Sequence, residues 1–385
     1  MDFSLTEEQL LLRQTVRGFA QSEIAPLVET YEREARFPRP LVNRLWKELG
    51  LGGMSCSEAY GGIGLDPISY ALVIEELARV WPALSIAVSV HNSVGVQLID
   101  RFGNEEQKQR YLPRLTSDWL AAFSLSEPGA GSDVGAIRAV ARRDGGDYVL
   151  EGEKNWVTNG QSADLFIVFM KTDPAARSKG ITSFIVERNA PGLSVSRPER
   201  KMGIKASEAV VLSFDNARIP ASARLGEEGE GFKIAMQQLD GGRIGVGAQA
   251  LGIAEAALDR SIRYAKERIA FGHPIADFQA IEWMLADMKV RLETARLLVY
   301  HAAWLRQVER PFSRAASMAK LYASEAATFV THRAIQIHGG YGYTEDYQVE
   351  RYYRDARVTE IYEGTSEIQR LVIARNWLKE NGFEA

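Results

Sequence analysis

The chain has 385 residues, too many for one ordinary hydrophobic core, so two or three domains are expected. Hydrophobic residues make up 46% and charged residues 25%, the proportions of a globular protein, and 46 basic against 50 acidic residues leave a formal charge of -4. That balance excludes broad attraction to nucleic acid or anionic lipid while leaving local basic pockets open.

The single cysteine, Cys56, excludes an internal disulfide and agrees with a reducing compartment. The start, MDFSLTEEQL, is acidic and amphipathic, unlike a secretory signal or an Arg-rich transit peptide. No apolar run approaches the length needed to span a membrane, so a cytoplasmic or mature organellar protein is expected.

Residues 1–120 read as helices separated by the turn signals RFPRP, AYGGIGLDP and RFGNEEQ. Thr6 with Gln9 forms a capping-box pattern, and Leu10, Phe19, Ile24 and Leu27 give a helical stripe that Pro26 interrupts. Residues 121–230 change texture: YVLEG, DLFIVFMK, ITSFIVE and AVVLSFD are short apolar or β-branched runs bounded by turn formers, the pattern of a β domain. From 231 to 385 long Ala- and Leu-rich helical segments return, broken at FGHP, ERPF and GGYGYTED. Helices of about 25 residues or more with short loops predict an antiparallel bundle. The fold class is therefore α+β and multidomain.

Within the β region, SLSEPGAGSDVG spaces Gly129, Gly131 and Gly135 one residue away from the dinucleotide fingerprint, and strand texture follows where that fingerprint requires a helix. A nicotinamide site of the Rossmann kind is disfavoured. The loop's N–H groups and the hydroxyls of Ser124, Ser126 and Ser132 suit a planar heterocycle or a pyrophosphate, and an inter-domain turn fits equally. Downstream, NWVTNG sets Trp156 beside Thr158: an indole able to cover an aromatic cofactor, or else sheet core. The five histidines show no ligand spacing, so no metal is expected.

Near the end, IYEGTSEIQR places Glu363 between a ring and a glycine, before a helix whose expected cap is Ser366 with Gln369 three residues on. Alone, Glu363 reads as a solvated acid favoured by the helix dipole or as a partner for Arg351, Arg354 or Arg357.

The motifs SLSEPGAGSDVG, KNWVTNG, QLDGGRIGVGAQALG, RIAFGHPIADFQAIE, QIHGGYGYTEDY and RDARVTEIYEGTSEIQR, in this order over the whole chain, resemble the acyl-CoA dehydrogenase family of flavoproteins. The resemblance implies an N-terminal α domain, a middle β-sheet or barrel domain and a C-terminal four-helix bundle, assembled as a homotetramer with FAD across a subunit interface. By motif, Phe123, Leu125, Ser126, Gly131 and Ser132, with Trp156, Val157 and Thr158, resemble the flavin-contacting loops, and Ser132 also lies near the substrate's pantetheine arm. Asp240, Arg243 and Gly364 match acyl-CoA positions. Arg268 and Gln279 resemble residues around the FAD diphosphate, where a guanidinium fork suits two phosphates. Gln336, Ile337, His338, Gly339 and Gly340 resemble the adenine-end segment, and Thr365, Ser366 and Glu367 complete the flavin set.

The resemblance makes Glu363 the catalytic base, which removes the α proton of the thioester while hydride leaves the β carbon for the flavin. Its own N–H and a ribityl hydroxyl of FAD would stabilise the enolate oxygen. Desolvation on substrate binding is expected to raise the carboxyl's pKa and so strengthen it as a base. Some branches of the family, isovaleryl-CoA and long-chain enzymes, carry the base on the bundle helix where this chain has Gly242. The chain stops about twenty residues after the motif, unlike oxidases with long extensions, so electron-transfer flavoprotein is the expected acceptor. An oxidase or monooxygenase on the same fold, and a non-catalytic flavin-bearing scaffold, are the competing readings.

Overall fold

The computed structural model describes residues 4–383; the first three residues of MDFSLTEEQL lie outside the described residues. Helix α1, Glu7–Phe19, begins at Thr6, whose Oγ1 accepts from Gln9 N while Gln9 Oε1 accepts from Thr6 N, the reciprocal cap expected from the sequence. Pro26 does not end the helical path as expected. The chain widens into a π turn at Ala20–Ile24, tightens into a 3-10 turn at Ala25–Leu27 where the proline is tolerated, and runs on as α2, Val28–Glu34.

After α3, Arg39–Leu49, comes α4, Pro67–Val80, capped by Asp66, which accepts from Ile68 N and Ser69 N, with Pro67 at the first helical position. Helix α5, Pro82–Val90, a π turn at His91–Val96 and α6, Gln97–Phe102, form one continuous helical segment. An 18-residue stretch within its 21 residues reaches a mean hydropathy of 1.2, long and apolar enough to cross a membrane, which corrects the expectation that no run approaches that length. That stretch is buried, packed on α4 and on neighbouring elements as the core helix of a folded domain is, and the segment reaches solvent only at its end, where Arg101 is exposed. Helix α7, Glu105–Ser117, closes the first helical group.

The sheet comprises β1 Ala121–Ser124, β2 Val140–Asp144, β3 Asp147–Thr158, β4 Leu165–Lys171, β5 Ile181–Glu187, β6 Leu193–Val195, β7 Ala209–Pro220 and β8 Arg224–Leu225. Its order is β6-β7-β3-β2-β4-β5-β8, with β1 paired in parallel to β4 through Ala121↔Leu165 and Phe123↔Ile167. Every residue of β4 is buried, because alternate side chains serve two cores: Leu165, Ile167 and Phe169 join the helical core, and Phe166, Val168 and Met170 fill the core enclosed by the sheet itself.

Helix α8, Gly231–Glu267, a two-strand ribbon β9 Ile269–Ala270 and β10 His273–Pro274, then α9, Gln279–Gln307, α10, Ser313–His338, α11, Val349–Arg357, and α12, Ser366–Glu380, make up the last third. Helices α8, α9 and α10 pack on one another and α12 on α10, so the expected bundle is present. The glycines of GGRIGVGAQALG let α4 lie directly on α8. A Cβ at Gly252 would sit 2.3 Å from the Glu75 carbonyl oxygen and 2.7 Å from Arg79 N, backbone atoms that cannot swing aside. Gly252→Val should therefore push α4 off α8 and cost about 1–3 kcal/mol in a denaturant titration, whereas an exposed helical glycine replaced in the same way would not.

Candidate active site

Thr365 is extended (φ -59°, ψ 164°) and its Oγ1 accepts from Ile368 N, so the cap of α12 is Thr365 and not the expected Ser366. Ser366 is already helical and buried. Gln369 does not complete a capping box either: its Nε2 reaches back to the carbonyls of Glu363 (3.3 Å) and Gly364 (2.9 Å). The turn it braces holds Glu363 at φ 51°, a left-handed conformation that costs a residue with a Cβ about 1–3 kcal/mol, followed by Gly364 at φ 95°. Two further anchors fix it. Lys320 Nζ donates to the Gly364 carbonyl at 2.7 Å, and the Tyr362 hydroxyl donates to Gln249, whose amide in turn holds the Pro82 carbonyl at 2.9 Å.

The Glu363 carboxylate is neither solvated nor paired with the nearby arginines. Arg354 binds Glu350 at 2.6 Å and Arg357 binds Glu360 at 2.6 Å, while Arg351 faces Gln348. Both carboxylate oxygens are buried without a hydrogen-bond partner among the described residues. Burial pushes the carboxyl up to about 7, against the opposing charges of Lys320 and Arg243. The protein's own walls thus produce, without substrate, the desolvation expected on substrate binding.

The carboxylate faces a cleft of about 660 Å³. One wall is the sheet. The glycine-rich loop contributes Phe123, Leu125, Ser126, Gly131 and Ser132, and β3 contributes Trp156 and Thr158. A register shift between Lys154 and Val157 puts Trp156 at φ 62° and leaves it 63% exposed, so the indole is not sheet core. The side chain of Val157, by contrast, points away into the sheet's own core, so only its backbone could meet a ligand. The other walls are Ile86, Val90 and Val94 from the α5 segment, Met236, Leu239 and Arg243 from α8, and Tyr362 to Thr365 with Ile368.

Beneath the glycine-rich loop, Lys154 is fully buried and donates to Glu127 at 2.7 Å and to the Leu125 carbonyl at 3.1 Å, while Glu127 also accepts from Arg138 N and Ala139 N. Burial lowers the Lys154 ammonium to about 8, with Glu127 opposing. Sequence reasoning missed this pair, as it missed Lys320, Gln249 and the loop around Arg200–Ala209. For Lys320 a signal existed: a charge on the Ala- and Ser-rich face of α10, three residues after Ser317 and four before Ser324, both buried.

Other expected site residues lie elsewhere. Asp240 does not line the cleft; it pairs with Arg243, which also donates to Ser317 at 3.2 Å. Glu367 is exposed on the outside of α12. Arg268, Gln279, Gln336, Gly339 and Gly340 are exposed and none borders the cleft. Ile337 and His338 are buried, His338 stacked on Tyr264 at 4.3 Å, so only their backbone could meet a ligand. The Arg268 guanidinium lies 5.8 Å from the Tyr341 ring centre, marking this as a separate patch.

Three family models match the chain: acyl-CoA dehydrogenase N-terminal domain over residues 6–118, middle domain over 122–217 and C-terminal domain over 229–378. It is 51% identical to an acyl-CoA dehydrogenase of Bacillus subtilis (strain 168), over 96% of this chain and 98% of that one. Among solved structures, butyryl-CoA dehydrogenase from Megasphaera elsdenii matches with TM-score 0.96 and 44% identity, over 98% of this chain and all (100%) of that one. A structure named for the electron transferring flavoprotein of Acidaminococcus fermentans matches with TM-score 0.97 and 46% identity, over 98% and 100%. The chain belongs to the acyl-CoA dehydrogenase family, whose members are FAD-dependent oxidoreductases. The cleft fits that cofactor: a bared indole, an open glycine loop where a Cβ at Gly129 or Gly131 would meet nothing within 4 Å, and hydroxyls at Ser126 and Thr158 border one cavity.

A carboxyl held above its ordinary range favours the protonated folded state. Its contribution is therefore most favourable below the usual carboxylate pKa and is lost as pH rises through about 7. Glu363→Gln should unfold at a higher temperature than wild type at pH 8, by up to about 3 kcal/mol, and the gain should fade below about pH 4.

Proposed function

We propose that the chain dehydrogenates a short-chain acyl-CoA thioester to the trans-2-enoyl-CoA, with Glu363 as base and electron-transferring flavoprotein as acceptor. The observation that carries this is the buried, unpartnered Glu363 carboxylate facing the cleft. A base poised near neutrality matches the task of removing a weakly acidic α proton. The Glu363 N–H would serve the developing enolate oxygen, so that donor and base belong to one residue. When bound, FAD supplies the oxidant that accepts hydride from the β carbon. Phe123, Leu125, Ser126, Gly131, Ser132, Trp156, Thr158 and Thr365 would hold its ring end. Arg243 and Gly364 border the thioester side, and Asp240 acts through its pairing with Arg243.

Short acyl groups are favoured by what stands among the same helices. Tyr70 binds Ser89 at 2.9 Å, Arg306 binds Gln97 at 2.6 Å, and Gln238 binds Gln97 at 3.0 Å, a largely buried polar layer behind the cleft whose hydrogen bonds a long alkyl chain reaching it would have to break. The butyryl-CoA specificity named for the Megasphaera protein supports the same reading, and the Acidaminococcus structure's name supports the acceptor.

The second patch, Arg268, Gln279 and Gln336 to Gly340, we assign to the FAD of another copy of the chain. Support comes from α9, where Trp283, Val290, Leu297 and Trp304 recur every seven residues and stay 42–65% exposed, an apolar seam suited to a further helix. The reading is a homotetramer of three-domain subunits divided near residues 120 and 230.

Glu363→Gln should retain FAD yet bleach about 10²–10⁴-fold more slowly with butyryl-CoA in stopped flow, and unimpaired bleaching would remove Glu363 as base. Rapid oxygen consumption with substrate would instead favour an oxidase. Leu297→Glu, placing a charge in the α9 seam, should shift light-scattering mass to smaller species.

A further inference from the structure

Two cations face the Glu363 carboxylate: Arg243 from α8 and Lys320 from α10. They are not equivalent. Arg243 is paired with Asp240 and hydrogen-bonded to Ser317, so most of its field is already balanced. Lys320 is fully buried in an otherwise Ala- and Ser-rich helix face, and it donates a hydrogen bond to a neutral group, the Gly364 carbonyl, at 2.7 Å. The acids within its electrostatic reach are Glu363, Glu360 and Glu367. Of these Glu360 is taken by Arg357 and Thr328, and Glu367 is exposed on α12. The remaining groups near Glu363 are the hydroxyls of Tyr70 from α4 and of the adjacent Tyr362, each held by a partner and neutral at working pH.

A buried ammonium that formed a direct ion pair with Glu363 would occupy the oxygen needed to take a proton. Here the ammonium is spent on the next peptide's carbonyl. Its charge acts on the carboxylate through space in a low-dielectric site while both oxygens stay open. The same hydrogen bond pins the peptide that holds Glu363 left-handed.

We propose that Lys320 is a positioning residue for the reaction: by binding the Gly364 carbonyl and leaving the carboxylate unbonded, it keeps Glu363 ionised yet free to accept the α proton. The inference rests on the reading of Glu363 as base. Burial lowers the Lys320 ammonium to about 8, so its charge is present where Glu363 titrates and is lost only at higher pH.

The test follows the ionisation of Glu363 in the holoenzyme by difference infrared spectroscopy, wild type against Glu363→Gln, beside Lys320→Met and Lys320→Arg. Lys320→Met should raise the Glu363 midpoint by about one pH unit or more, which is about a tenfold loss of ionised base below it. Bleaching by butyryl-CoA should fall correspondingly at neutral pH and recover as pH rises. Lys320→Arg, which keeps the charge, should retain the wild-type midpoint. An unchanged midpoint in Lys320→Met, or a rate loss equal at every pH, would overturn the proposal. If Lys320→Met does not fold, Lys320→Gln, neutral but able to donate, carries the same comparison. The infrared titration reports on Glu363 whatever that residue does, so the two readings can fail separately.

Discussion

An ionisable carboxylate held out of water, with no hydrogen bond to either oxygen, is costly, and much of the surrounding structure exists to keep Glu363 in that condition. The residue sits in a backbone conformation that a side chain disfavours, and the strain is retained because Gln369, Lys320, Tyr362 and Gln249 fasten the turn from α12, α10 and α8. None of these side chains satisfies the carboxylate itself. The stabilising hydrogen bonds all go to the backbone or to neighbours, which leaves the carboxylate oxygens unbonded and lets distant elements set where they point.

The cleft wall opposite is built on the same division of labour. Lys154 and Glu127 neutralise each other under the glycine-rich loop and take up its backbone groups, so the loop surface can remain open. A bulge in β3 turns Trp156 outward while Val157 keeps the strand anchored in the sheet's core. Rigid, buried charge pairs and strand irregularities thus support a surface that is itself sparsely bonded.

The architecture was legible in the sequence because it rests on local signals, strand texture and helix length, whereas Glu363 stands out only through the family motif, since alone it reads as a solvated or paired acid. Features that depend on which faces meet were not. The burial of Lys320 and Lys154 is decided by tertiary packing, and lysine is ordinarily a surface residue. Adjacent Thr365 and Ser366 are both good caps, and only the backbone geometry selects the first. The apolar 82–102 segment escaped notice because Ser85, Ser89, His91, Asn92 and Ser93 interrupt it, and these polar groups find partners inside the core. Arg268 and the 336–340 segment resemble family motifs, and a resemblance in sequence does not say which cleft a residue borders; a single chain does not bring them to its own.

Gly242 has a consequence of its own. A Cβ there would fall 2.1 Å from Glu363 Oε2, and the atom it meets is the free end of a flexible side chain, so the collision is relieved by swinging the carboxylate away. Two backbone addresses, one on α8 and one in the turn before α12, therefore converge on a single point in space, and only one can be occupied by an acid at a time. Relocating that acid from one address to the other is a move in sequence but hardly a move in three dimensions. A lineage changing one codon at a time would meet its obstacle in a temporarily misaimed or missing carboxylate, with the scaffold itself left intact.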